Sequence, residues 1–254
     1  MLFSEFRIKK DDIIQPEKLK QLAELNPNFE FVSFEKLYIK KYIQRNTPKI
    51  YFMLGDYPFV YDIFKHLNHT TIIATNNQVI SENVYSVPIG VTNTSHCNII
   101  GNLDVIVEQF KKPKCHSEQL LYMNFNIRND NSFSERNSAI LHFENKDWVT
   151  RGKFERTHEG HKRFIEEIYN HKFILCPWGA GIDTHRLWMS LYLGSIPITK
   201  YHETYYHFRH LPIVFVNDWK EVTKELLIQK YDEIMKNDYD LSILGMDFWR
   251  KQFE

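Results

Sequence analysis

Apolar positions along this chain alternate between a helical period and a strand period, and the two take turns from one end to the other. Pro16 to Leu25 reads as a helix and Phe29 to Ser33 as a strand. A helix around Phe34 to Arg45, a strand over Lys49 to Leu54 and a helix over Tyr57 to Leu67 are expected next. Thr71 to Thr75 is a β-branched strand, and Val84 to Val91 a short one interrupted by Pro88 and Gly90. Lys111 to Glu118 is charged, contains Pro113 and suits a linker. Alternation then resumes. Gln119 to Phe125, Trp148 to Thr150 and Leu211 to Val216 read as strands, and Phe133 to Glu144, His158 to Tyr169 and Trp219 to Met235 as helices. Phe248, Trp249 and Phe253 give the last segment an apolar face that should dock on the rest. The pattern predicts an α/β fold of two domains, residues 1–113 and 114–235, with residues 236–254 packing on them. Ligands of open α/β sheets lie outside the carboxyl ends of the strands, so a site is expected in the cleft between the domains.

The densest stretch is His171 to Thr199, HKFILCPWGAGIDTHRLWMSLYLGSIPIT, which writes strand, glycine loop, helix and strand in one run. Lys172 to Cys176 suits a strand covered on both faces, and Pro177, Gly179 and Gly181 then stop it. Asp183 or Thr184 can cap the following helix. Its apolar positions Leu187, Trp188, Leu191 and Tyr192 keep helical spacing until Gly194. Ser195 to Thr199 supplies the returning strand. Free loop amides at a helix start favour an anion by roughly 0.3 to 2 kcal/mol. Arg186, just inside the helix, could grip a diphosphate bidentately. The plainer alternative is a structural β-α connection with Arg186 in a surface ion pair.

Composition narrows the functions. The 254 residues carry 32 basic and 32 acidic side chains and no formal net charge, which argues against a broad nucleic-acid-binding field. Cys97, Cys115 and Cys176 are too few and too scattered for a disulfide framework and form no paired metal motif. The first residues lack the apolar core of a signal peptide, and the most apolar window is broken by Asp56 and Pro58. A cytoplasmic protein without a transmembrane segment is expected. His158 and His161 lack the H-E-x-x-H spacing, and His202, His207 and His210 have no carboxylate at matching spacing, so no metal site is expected. The aromatic residues of KYHETYYHF suit either stacking on a sugar ring or packing.

The run CPWGAGIDTHRLWMSLYLGSIPI resembles the carboxyl-terminal signature of exostosin-like glycosyltransferases, which read C-P-x-G, a short polar loop, R-L-W-E and G-x-I-P-V. TNNQVISENVYSVPIGVTN, LYMNFNIRND and LPIVFVNDWKEVT look like a small relative of that family found in bacteria, phages and large DNA viruses. Together they cover most of Thr75 to Thr223. The resemblance implies a GT-B architecture, two Rossmann-like domains facing a cleft, in which the second domain holds a nucleotide-sugar and the first receives a glycan or glycoconjugate acceptor. It implies inverting transfer of one sugar to a hydroxyl, with no cofactor and no metal, a UDP-sugar being favoured over a GDP-sugar. In a viral protein the compartment would be the host cytoplasm.

Under this resemblance the donor would meet the loop at Gly179, Gly181, Asp183 and Thr184, with His185 and Arg186 at the helix start. Arg128 and Arg136 would flank the loop after the strand LYMNFN, where Asn124 and Asn126 share a face and could bond base or sugar or merely cap a turn. Pro88 and Gly90 bring backbone close to something, either a sugar near Asn93 and Thr94 or a tight turn. A general base is expected from the first domain: Asp56 first, although it also suits a helix N-cap, and His96 second. One departure stands out. Met189 occupies the place of the acidic residue that would bond the ribose hydroxyls, and a thioether is at best a weak acceptor. The alternative is therefore a noncatalytic nucleotide- or glycan-binding protein that keeps the fold.

Overall fold

A computed structural model describes residues 1–33, 49–53, 58–65, 67, 70–91, 103–112, 119–127, 135–155 and 157–253. The helix expected over Phe34 to Arg45, and Asp56, Asn93, Thr94, His96 and Arg128, lie outside the described residues.

Two parallel sheets follow each other along the chain. The first contains β1 (Phe29–Ser33), β2 (Lys49–Met53), β3 (Thr71–Ala74) and β4 (Val84–Ser86) in spatial order β1-β2-β3-β4. The second contains β5 (Leu121–Met123), β6 (Val149–Arg151), β7 (Phe173–Leu175), β8 (Ile196–Lys200) and β9 (Val214–Val216) in order β6-β5-β7-β8-β9. All pairings are parallel. The helices are α1 (Pro16–Leu25), α2 (Tyr61–Phe64), α3 (Leu103–Gln109), α4 (Glu135–Phe143), α5 (His158–Asn170), α6 (His185–Tyr192), α7 (Lys224–Lys236) and α8 (Met246–Gln252). Local chemistry explains several boundaries. Pro16 opens α1, the Thr157 hydroxyl caps α5 by accepting from the Gly160 amide at 3.0 Å, and Gly194 follows α6 in the left-handed region at φ 69°.

Three expectations need correction. The helix expected over Tyr57 to Leu67 is confined to Tyr61–Phe64, because Phe59 pairs with the turn after β3: its amide donates to Asn76 O, and its carbonyl accepts from Gln78 N. The helix expected from Trp219 starts as a short 3-10 turn, Trp219–Glu221, closed by a capping box between Asp218 and Glu221. Thr223 then caps α7 through the Leu226 amide. The strand expected over Leu211 to Val216 is reduced to its last three residues by a tight turn in which Ile213 N donates to Leu211 O.

Period-2 alternation gives the first sheet two apolar faces. Ile50 and Ile72 belong to a small cluster with Phe59, Phe64 and Val84, whereas Tyr51 and Ile73 face the main core. That main core is continuous from Phe3 and Ile14 across both sheets to Trp249 and Phe253. The C-terminal segment returns to the first sheet. The Phe253 ring lies 4.9 Å from Phe29 and 5.4 Å from Tyr51, and Asn26 Nδ2 donates to Phe253 O. Among the described residues no helix is long and apolar enough to cross a membrane.

Candidate functional site

Strand order reverses once in the second sheet, since the chain steps from β5 outward to β6 and then crosses back to β7 on the other side. The crevice outside the carboxyl ends of β5 and β7 is therefore a topological switch point, where open α/β sheets take ligands. Residues 124–127 leave β5 on one side of it, and the loop from Cys176 to Thr184 leaves β7 on the other.

Arg136 joins the two loops. From α4 its Nη1 donates to Asn126 O at 2.8 Å and its Nε to Trp178 O at 3.1 Å. Its guanidinium lies so close to Gly179 that a Cβ there would stand 2.2 Å from Nη2. Gly179 is thus the residue that lets this cation pass between the loops. The loop also folds on itself, with Gly179 N donating to Gly181 O at 2.9 Å. That amide is already engaged.

Asp183 is a clasp between the sheets. One carboxylate oxygen accepts from Trp188 Nε1 at 2.7 Å within the second half, and the other from Ile89 N at 2.9 Å just past β4. In return its own amide donates to Asn76 Oδ1 at 2.8 Å, and Asn76 holds a left-handed backbone at φ 48°. The carboxyl group is 2 % exposed. Burial pushes it up to about 7, opposed by its N–H donors. His185 adds a third link, its Nδ1 donating to Gly90 O at 2.7 Å. Gly90 sits at φ 67°, and a Cβ on it would meet Ile14 O at 2.5 Å, so its close approach is to the N-terminal segment. The cap position of α6 belongs to Thr184, yet its hydroxyl makes no cap bond; its buried Oγ1 has no partner.

Arg186 differs from its neighbours. It is half-buried, and among the described residues its Nε, sealed from solvent, has no hydrogen-bond partner and no carboxylate is among the charges that act on it. The titratable groups nearest in effect are Cys176 and Tyr122, each pushed up to about 12 by burial and therefore neutral. Holding a guanidinium in such surroundings is unfavourable unless an anion arrives. Its carbon lies 5.5 Å from the Phe125 ring centre and 5.8 Å from that of Phe164.

Phe125 also lines a cavity of 570 Å³ with Asn124, Asn126, Arg151, Gly152 and Lys153 at the ends of β5 and β6. Asn124 is 6 % exposed, and its Nδ2 donates to Tyr122 OH and Lys153 O while its Oδ1 has no partner. Asn124 and Asn126 are accordingly not equivalent: the first leaves a side-chain acceptor open, the second holds Arg136 through its carbonyl. Met189 is 1 % exposed, packed in the core. The aromatic run KYHETYYHF forms a 3-10 turn, Glu203–Phe208, whose Tyr205 and Phe208 are buried; Tyr205 OH donates to Ile182 O at 2.6 Å. Among the described residues, no three His, Cys, Asp or Glu side chains are grouped to hold a metal ion.

Of the residues expected from the sequence, Gly179, Asp183, His185, Arg186, Asn126 and Arg136 are placed on or beside the loops around this crevice. Sequence reasoning missed Asn76, Phe125 and Phe164, because their roles depend on partners far away in the chain. The TNNQV turn after β3 was the available signal for Asn76, since Asn tolerates a left-handed backbone. Neither a protein-family model nor a curated protein matches this chain in sequence.

Proposed function

We propose that the chain is a glycosyltransferase that binds a nucleotide-sugar, UDP-linked rather than GDP-linked, and moves its sugar to a hydroxyl of a glycan or glycoconjugate. The two sheets would then be two Rossmann-like domains of a GT-B enzyme, with the donor at the β5/β7 switch point. The observation that carries this reading is Arg186, a half-buried cation beside that crevice without a counter-anion among the described residues. A diphosphate would supply the missing charge, and the guanidinium would in turn stabilise negative charge on the leaving nucleotide as the glycosidic bond breaks. Asp56 and His96 remain the candidate bases on the acceptor side. The motif resemblance supplies the reaction class, and the crevice chemistry supports an anionic ligand.

A second reading, a nucleotide- or glycan-binding protein without turnover, is favoured by Met189. Its burial leaves no acid at that position to bond a ribose.

Arg186→Met tests the phosphate role that both readings share, because its two expected effects have opposite signs. Removing the unpaired charge should raise the melting temperature without ligand, while weakening UDP binding by about 1.5 to 3 kcal/mol, the range for bonds to charged groups. Calorimetric titration with UDP, GDP and inorganic pyrophosphate measures the second effect. Unchanged affinities would sink the phosphate role. Hydrolysis of a panel of UDP- and GDP-sugars then decides turnover: binding without release of sugar, with varied acceptors present, favours the second reading.

A further inference from the structure

Among the described residues, Arg186 is held by rings rather than by a carboxylate. Phe125 comes from the segment just past β5, Phe164 from the middle of α5 and Arg186 from the first turn of α6, so three elements meet at one guanidinium. Both rings are fixed. Phe125 is 8 % exposed, and Phe164 packs against Tyr122 at 6.3 Å and His161 at 6.5 Å between ring centres. Burial holds His161 neutral down to about pH 4, so it brings no second cation to the group. A ring face attracts a guanidinium without neutralising it, whereas a carboxylate in the same place would bind it more strongly and cancel its charge.

We propose that Phe125 and Phe164 are positioning residues, a two-ring clamp that aims Arg186 at the phosphates of a bound nucleotide while leaving its charge available. The proposal rests on the nucleotide-binding reading above. Phe164 is the more informative of the pair. Its ring also borders a cavity of 150 Å³ shared with Tyr122, Asn124 and Gly152, so removing it gives the guanidinium room to swing away from the crevice. An aliphatic residue there could fill space, but it offers no π-face to hold a cation.

The test titrates UDP and inorganic pyrophosphate into Phe164→Leu, Phe164→Tyr and Arg186→Met, with thermal unfolding of each variant. Phe164→Leu should weaken both ligands by about three- to thirtyfold, the loss of one ring face, and Phe164→Tyr should restore most of that affinity. Equally weak binding by Phe164→Met, which keeps the volume but has no π-face, is the readout that a merely space-filling role would not give. A Phe164→Leu protein that loses thermal stability but keeps both affinities overturns the clamp. If Phe164→Leu does not fold, Phe164→Met, unbranched and of similar volume, takes its place with the same expectations. The arginine variant tells the two ideas apart. Weaker binding by Arg186→Met with normal binding by the leucine variant removes the clamp alone, whereas normal binding by Arg186→Met removes the phosphate role and the clamp with it.

Discussion

Asp183 accepts N–H donors from both halves of the molecule, and its carboxyl group is displaced upward by burial to about 7 from an ordinary 3.8. The folded protein therefore holds that proton more tightly than the unfolded chain does. Its contribution to stability is complete below about pH 4 and is lost as pH rises through about 7, on the order of 4 kcal/mol in full. Buried histidines act in the opposite sense. His161 is lowered to about 4, and burial also lowers His171, His202 and His207, so their contribution fades as pH falls from about 6.5. The histidine contribution is common to the natural protein and to Asp183→Asn, so it cancels in their difference. Urea unfolding at pH 6.5 and 8.0 should show the natural protein losing roughly 1 kcal/mol relative to Asp183→Asn. An equal change in both would assign the titration to another group. Asp183 was legible in the sequence as a polar residue opening a helix, but its partners Asn76 and Ile89 lie 107 and 94 positions away. No local spacing encodes such a contact.

Regular elements were most legible where one physical cause dominates. The bounds of α1 and β1 fall at Pro16–Leu25 and Phe29–Ser33 as their periodicity requires, and α6 stops before Gly194 as a left-handed glycine demands. Elements set by tertiary pairing were not: Phe59 leaves the helical pattern to bridge the turn after β3, and α3 carries no signal that set it apart beforehand. The segment after β4 is of the second kind. Gly90 combines a positive φ with a backbone carbonyl, Ile14 O, 2.5 Å from any Cβ, and neither can yield as a flexible side chain would. Gly90→Ala should cost at least about 2 kcal/mol in denaturant titrations. A loss under half of that would mean that the N-terminal segment is free to move away.

At the scale of the whole molecule, two parallel sheets in sequence follow from the repeated alternation of strand and helix, but the core that joins them does not follow from any segment alone. Because that core runs unbroken through both sheets, calorimetry should record one cooperative unfolding transition rather than two. Phe253→Ala should lower its midpoint, removing about 3 kcal/mol by emptying a site against Phe29 and Tyr51. Two resolved transitions would show that the sheets hold themselves up separately. The switch point between β5 and β7 was likewise hidden, since strand order is a property of packing, although the glycine loop that borders it was plain. The seating of Phe253 on β1 and β2 also orders events during synthesis. The sheet made first, complete at Ser86, exposes an unfinished apolar face until the 167 residues from there to Phe253 have emerged. A nascent chain halted before Gly245 would carry that face uncovered, a surface for chaperones or for other nascent chains.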